Sequence, residues 1–194
     1  MDILTHSKLS VYKFGGKVED YYDIHKFIDS SKLFLFHAKH RSVLHHTFGI
    51  ELCLRLFGDT IRISSGESKM VRDIAAEHLK EDLAGRVPTI QDWFVEKPDL
   101  FDPLTYIDTL RDKELKEFVL QPYLNSGLKS SLLITFSDFG VEMVQKCLGL
   151  EKAMMLRRVI PSEYSLRQIL KEFRFTQRWQ YSPDMKQLNL INKK

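Results

Sequence analysis

The stretch His40-Arg41-Ser42-Val43-Leu44-His45-His46-Thr47-Phe48-Gly49-Ile50-Glu51-Leu52 constrains this chain more than any other. It sets three of the seven histidines on a segment whose apolar residues recur every fourth position. Leu44, Phe48, Leu52 and Leu56 form one such line, and His46, Ile50, Cys53 and Phe57 form its neighbour, which predicts a helix from Arg41 to Phe57. If that helix is packed, at least one of His45 and His46 faces inward. Gly49, one turn after His45, would let a backbone or a ligand approach closely.

Flanking segments repeat the pattern. Asp20 can cap a helix carrying Tyr21, Ile24, Phe27 and Ile28 on one side and running to about Phe36, with His25 and Asp29 four residues apart. A third helix, from about Asp73 to Leu83, sets Ile74, Ala75, His78, Leu79, Asp82 and Leu83 on one face, with Glu77, Lys80 and Glu81 outside it. Between the second and third helices, Thr60–Ile63 and Lys69–Arg72 flank a Gly-containing loop and read as a β-hairpin. The predicted fold is therefore mostly α (α+β): a helical bundle with one β-hairpin, plus a helical C-terminal extension. Pro98, Asp99, Asp102 and Pro103 mark a boundary, dividing a His-rich helical domain, 1–98, from an extension, 99–194.

Histidine and carboxylate spaced by three or four residues on helices is one way to build a metal site inside a bundle. The metal-ligand candidates are His25, His40, His45, His46, His78 and Asp82, with Glu81 or Glu51 as general base. Neutral imidazole with carboxylate suits a divalent ion such as Zn, Fe or Mn, and a water bound to it becomes a nucleophile near neutral pH. The expected function is a metal-binding helical protein, and on this reading a metal-dependent hydrolase of phosphate esters or nucleic acid. The alternative for each His/Asp pair is an internal or surface hydrogen-bonded pair with no ion. His37 is expected in solvent, and His6 cannot be assigned from sequence.

Several classes are excluded. There is no GxSxG, Walker A loop, GxGxxG or HExxH. Asp138-Phe139-Gly140 stands without the other kinase signatures and reads as a helix start. Cys53 and Cys147 are far apart and lack zinc-finger spacing, so both are expected as reduced thiols. No run approaches the ~18 apolar residues of a membrane span, and the N-terminus lacks a signal-peptide pattern. No membrane association and a cytoplasmic location are the expectations.

Charge separates the halves. Residues 150–194 hold ten Lys/Arg against four Asp/Glu, while the whole chain is only +3. There Arg157, Arg158, Arg167, Lys171, Arg174 and Arg178 interleave with aromatics including Trp179, a composition suited to nucleic acid or to a protein partner. The second functional expectation is therefore a non-enzymatic phage or bacterial interaction or assembly protein acting through this basic segment.

Residues from about His6 to Phe94 also resemble a small uncharacterised domain family of bacteria and phages. The resemblance rests on Lys13-Phe14-Gly15-Gly16, Glu19-Asp20-Tyr21 with Ile24-His25, Asp29-Ser30-Ser31-Lys32, His40-Arg41, His45-His46, Gly49-Ile50, Phe57-Gly58, Val71-Arg72-Asp73-Ile74, His78, Glu81-Asp82, Pro88-Thr89 and Asp92-Trp93. It implies a shared fold and a shared His/Asp pattern, and no particular reaction. The adjacent His-Asp pair of the HD phosphohydrolases is absent.

Overall fold

The computed structural model describes residues 1–35, 37–95, 102–170 and 177–180. These fall into two compact units, 1–88 and 89–170, with 177–180 grouping with the first.

The first unit is a helical bundle with one hairpin. Helix α1 (Ile3–Phe14) begins where the Asp2 side chain accepts from the Thr5 amide at 2.8 Å. Its buried residues are His6, Ser7 and Ser10. All three are polar, so hydrophobic periodicity does not reveal this helix. Helix α2 (Glu19–Ile28) buries Tyr21, Ile24, His25, Phe27 and Ile28, and Asp29 closes it as C-cap. The predicted continuation to Phe36 does not hold, because the chain tightens after Asp29 into a short 3-10 turn, Ser30–Leu33.

The predicted single helix from Arg41 to Phe57 is two helices. Helix α3 (Arg41–Leu44) ends at His45, and α4 (Thr47–Phe57) begins after His46, which is extended (φ −157°, ψ 175°). The Thr47 amide donates to the Pro88 carbonyl at 2.9 Å, a partner outside the helix. Gly49 makes the sharp corner possible, since a Cβ there would lie 1.8 Å from the Leu44 carbonyl oxygen. The bend sends adjacent histidines into different surroundings.

Strands β1 (Thr60–Arg62) and β2 (Ser68–Met70) pair antiparallel with Ile61 opposite Lys69. Gly66, at φ +90°, turns the loop and donates to the Ile63 carbonyl at 2.8 Å. Helix α5 (Val71–Asp82) follows directly and buries Val71, Ile74, Ala75, His78, Leu79 and Asp82, the face its periodicity predicts. Lys13 of α1 pairs with Glu77 of α5 at 2.5 Å.

The second unit opens on a capping box in which Thr89 and Asp92 satisfy each other's backbone around the turn Ile90–Asp92. Helices α6 (Leu104–Ile107), α7 (Lys113–Ser126), α8 (Asp138–Leu148), α9 (Leu150–Val159) and α10 (Leu166–Leu170) follow, with a 3-10 segment Lys129–Ile134 before α8. Helix α7 runs through Pro122 and ends at left-handed Gly127. Asp138-Phe139-Gly140 is a helix start: the Ser137 side chain caps the Gly140 amide. Phe118, Leu132, Phe136, Phe139 and Val144 are buried in this unit. The chain is mostly α with a small hairpin, and among the described residues no helix is long and apolar enough to cross a membrane.

Candidate metal centre

Four elements of the first unit bring imidazoles and carboxylates to one buried place. Helix α2 contributes His25, and its C-cap contributes Asp29, four residues on. Helix α5 contributes His78 and Asp82 from its last turns, at the same spacing. The corner between α3 and α4 contributes His45, whose amide still donates to Arg41 at 2.8 Å. Helix α1 adds His6. His6, His25, His45 and His78 are each 0% exposed, Asp82 1% and Asp29 2%.

Their nitrogen and oxygen atoms crowd around one point. His45 Nε2 lies 3.2 Å from Asp82 Oδ2, 3.3 Å from His78 Nε2 and 3.7 Å from Asp29 Oδ1, while His78 Nε2 lies 3.8 Å from Asp29 Oδ1. One donor atom from each of Asp29, His45, His78 and Asp82 lies within 4.8 Å of the other three. The four separations of 3.2–3.8 Å are those of ligand atoms about 2.0–2.3 Å from a shared tetrahedral centre, the length of a Zn–N or Zn–O bond, and the remaining two lie within 4.8 Å. These buried His and Asp groups could hold a metal ion.

The outer atoms are held by ordinary partners. Lys32 Nζ binds Asp29 Oδ2 at 2.6 Å, and the Met1 amino nitrogen binds Asp82 Oδ1 at 2.7 Å. Each carboxylate is thereby turned so that its second oxygen points inward. Around Asp29 Oδ1 stand the Nε2 atoms of His40, His45 and His78 at 3.4, 3.7 and 3.8 Å, all too long for a good N–H···O bond.

A relay supports the ring of His78. Its Nδ1 lies 3.0 Å from His25 Nδ1, and His25 Nε2 lies 2.9 Å from Ser10 Oγ. With His25 holding its proton on Nε2 and donating it to Ser10, His25 Nδ1 accepts from His78 Nδ1–H and leaves the Nε2 lone pair of His78 directed inward. A second set, His6, His25 and His78, also brings donor atoms within 4.8 Å. His6 stacks on His78 with ring centroids 3.8 Å apart, and its Nδ1 meets Glu81 Oε2 at 2.5 Å.

Burial keeps most of these rings neutral. It pushes His25 down to about 3 and His45 to about 4, and, aided by the charges of His6 and His45, holds His78 well below the usual imidazole range. His6 goes the other way: burial opposes protonation, but Asp82 and Glu81 outweigh it and raise the ring above its ordinary value. Burial would raise Asp29 and Asp82. Against it, His40 and nearby imidazoles hold Asp29 well below the carboxylate range, and His45, His6 and Arg41 do the same for Asp82. Anionic carboxylates beside neutral imidazoles are the protonation state a metal requires.

The other candidates are scattered. His40 is 5% exposed, beside Asp29 as described, and its ring meets that of His45 edge-on. His46 is fully buried and stacks on Phe48 at 6.4 Å, and neither donor set includes it. Glu51 is half-buried on α4 and also belongs to neither set. The side chain of His37 lies outside the described residues. Arg157 and Arg158 on α9 and Arg167 on α10 are exposed. Lys171 and Arg174 lie outside the described residues, as does the side chain of Arg178. The Trp179 ring lies 5.7 Å from the Arg86 guanidinium. Sequence reasoning missed His6, because α1 buries only polar side chains. It paired Asp29 with His25 without counting it as a ligand.

Residues 1–99, just over half the chain, match the family model described as "Domain of unknown function (DUF6915)", in keeping with the resemblance seen over 6–94. No curated protein matches the chain, and no solved structure does.

Proposed function

The chain belongs to the DUF6915 family through its first 99 residues, and from that premise we propose that it binds one divalent transition metal in the first unit and uses it for hydrolysis of a phosphate ester. The ligands are His45 and His78 through Nε2, Asp29 through Oδ1 and Asp82 through Oδ2. The observation that carries this reading is the convergence of those four buried groups, with four of their six separations at 3.2–3.8 Å and donor atoms of all four within 4.8 Å of one another.

Energetics favour an ion over a purely structural cluster. Burying an ionised carboxylate costs several kcal/mol even after relaxation, and half-satisfied buried polar groups add to that. Lys32 and the Met1 amino group offset charge on the outer side and Arg41 on the inner, but Asp29 Oδ1 faces three nitrogens at 3.4–3.8 Å, poor hydrogen-bonding distances. A bound divalent ion contributes on the order of 10 kcal/mol in small structural sites, enough to outweigh this cost. Two imidazoles and two carboxylates suit Zn, Fe or Mn.

When bound, such an ion lowers the pKa of a coordinated water to near neutrality. The chain's own groups then handle the proton. Glu81, bonded to His6 Nδ1 at 2.5 Å, forms with it a dyad whose Nε2 lies 3.5 Å from Asp82 Oδ1, beside the ligand set. We assign the proton-accepting role to this His6–Glu81 dyad. The test is elemental analysis of protein purified without chelator, followed by chelation and refilling. One equivalent of metal, with phosphatase activity that leaves and returns with it, supports the reading. Metal-free protein whose stability ignores added Zn, Fe or Mn removes it.

A further inference from the structure

We propose that Arg41 forms a subsite for a phosphoryl oxyanion beside the metal, so that one anionic group is held by the ion and the guanidinium together. The proposal rests on the metal reading above and names what that centre would take.

Arg41 opens α3 and is 7% exposed, unusually buried for a side chain that is always charged. Its Nη2 lies 3.4 Å from Asp82 Oδ2, the same inward oxygen that faces His45. The guanidinium therefore points at the ligand ring rather than away from it. Its Nε is buried and has no hydrogen-bond partner among the described residues. At 3.4 Å the contact with Asp82 is an ion pair rather than a close bond, so most of the donor fork remains to be used.

Charge gives the same answer. Asp29, Asp82 and Glu81 supply three negative charges, and Arg41 and Lys32 supply two positive ones. A divalent ion turns this small deficit into a net positive charge, before the Met1 amino group is counted. A buried site with surplus positive charge and a planar fork of free N–H groups favours an anion with several acceptor oxygens. A tetrahedral phosphoryl group matches this set in chemistry: one oxygen would take a fifth position on the ion while others accept from Arg41. A carboxylate has only two oxygens to divide between the ion and the fork, and a halide has a single atom.

The experiment uses the full chain loaded with Co(II), whose visible absorption reports the ligand field. Inorganic phosphate at millimolar concentration is titrated into wild type, Arg41→Lys and Arg41→Gln, with chloride and acetate as comparison anions. Thermal unfolding of each variant confirms that it is folded. Wild type should show a saturable spectral change with phosphate alone. Both variants should retain Co(II) yet bind phosphate more weakly by about tenfold or more, the loss expected for a charge-assisted fork. Arg41→Lys tests the claim even if Arg41→Gln does not fold, because it keeps the charge and removes the fork. A cobalt spectrum indifferent to phosphate, or equal phosphate affinity in wild type and Arg41→Lys, overturns this inference alone. A protein that takes up no cobalt overturns the metal reading and this inference with it.

Discussion

The Nε2 atoms of His45 and His78 face each other at 3.3 Å, although the residues are 33 positions apart and belong to different elements. At most one proton can lie between two such nitrogens, and each also has a carboxylate oxygen within 3.8 Å. His25 holds His78 in this way from its far side, and the facing nitrogens are an arrangement a cation would exploit.

Replacement of His78 by Ala removes an inward ligand and the donor to His25 Nδ1 together. Metal affinity should fall by more than about 100-fold, beyond what loss of an outer-sphere partner causes. Equilibrium dialysis with elemental analysis measures this. Undiminished metal content in a folded His78→Ala protein would exclude His78 as a ligand.

Ser10→Ala leaves every proposed ligand in place but takes the hydroxyl from His25 Nε2, 2.9 Å away. Loss of orientation in the ring behind His78 should weaken metal binding by about 10–100-fold. A competition titration against a chromophoric chelator gives the value, and wild-type affinity would show that the relay does not position His78.

Asp82→Asn removes a charge that Met1, Arg41, His45 and His6 all approach. Breaking one partner out of a buried ionic cluster costs about 3–5 kcal/mol. Urea denaturation of the metal-free protein should shift by an amount in that range. A change below about 1 kcal/mol would mean that the cluster is wetter than its burial indicates.

Acid should destabilise the metal-free protein well before the carboxylates titrate. His25, His45 and His46 are depressed in the folded state to about 3, about 4 and about 3, chiefly by burial. In an unfolded chain imidazole titrates near about 6.5. Between these values the unfolded state binds more protons, so stability is full above about 6.5 and falls as pH is lowered. Asp29 and Asp82, also depressed, add loss of the same sign at lower pH. His6 is raised and works against the trend, since its contribution is present below about 6.5 and is lost as pH rises further. Denaturation midpoints from pH 7 down to about 5 should fall with net proton uptake on unfolding, whereas a flat profile would contradict the burial of neutral rings.

Gly49→Ala drives a methyl group to within 1.8 Å of the Leu44 carbonyl oxygen, against backbone that cannot yield like a side chain. The corner between α3 and α4 must open, at about 1–3 kcal/mol for overpacking, and His45 moves with it. Stability and metal affinity should fall together, and a variant that loses neither would show that the corner tolerates displacement.

The parts of this site that sequence reveals are those on faces that also carry apolar residues. His78 and Asp82 are legible because Ile74, Ala75 and Leu79 mark the same face of α5 as buried. The hairpin is legible from its β-prone runs and Gly66. His6 is not, because hydrophobic spacing cannot report a helix whose buried side is His6, Ser7 and Ser10. The corner at His45-His46 is hidden too. Leu44 and Phe48 keep helical spacing across a break that only the Pro88 carbonyl and the missing Cβ of Gly49 explain. Asp29 shows its pairing with His25 in sequence, but its distances to His45 and His78 depend on three elements meeting.

The four inward donors run from Asp29 to Asp82 along the chain, with the α3–α4 corner and the whole hairpin between them. On the proposed ligand set, no fragment shorter than that span can close the ring, and an ion would meet all four donors only once α5 has docked. Loading would thus be the final step of maturation. Chains without the proposed ion would keep Asp29 and Asp82 buried with less compensation, so metal supply would set how well this protein resists unfolding and proteolysis.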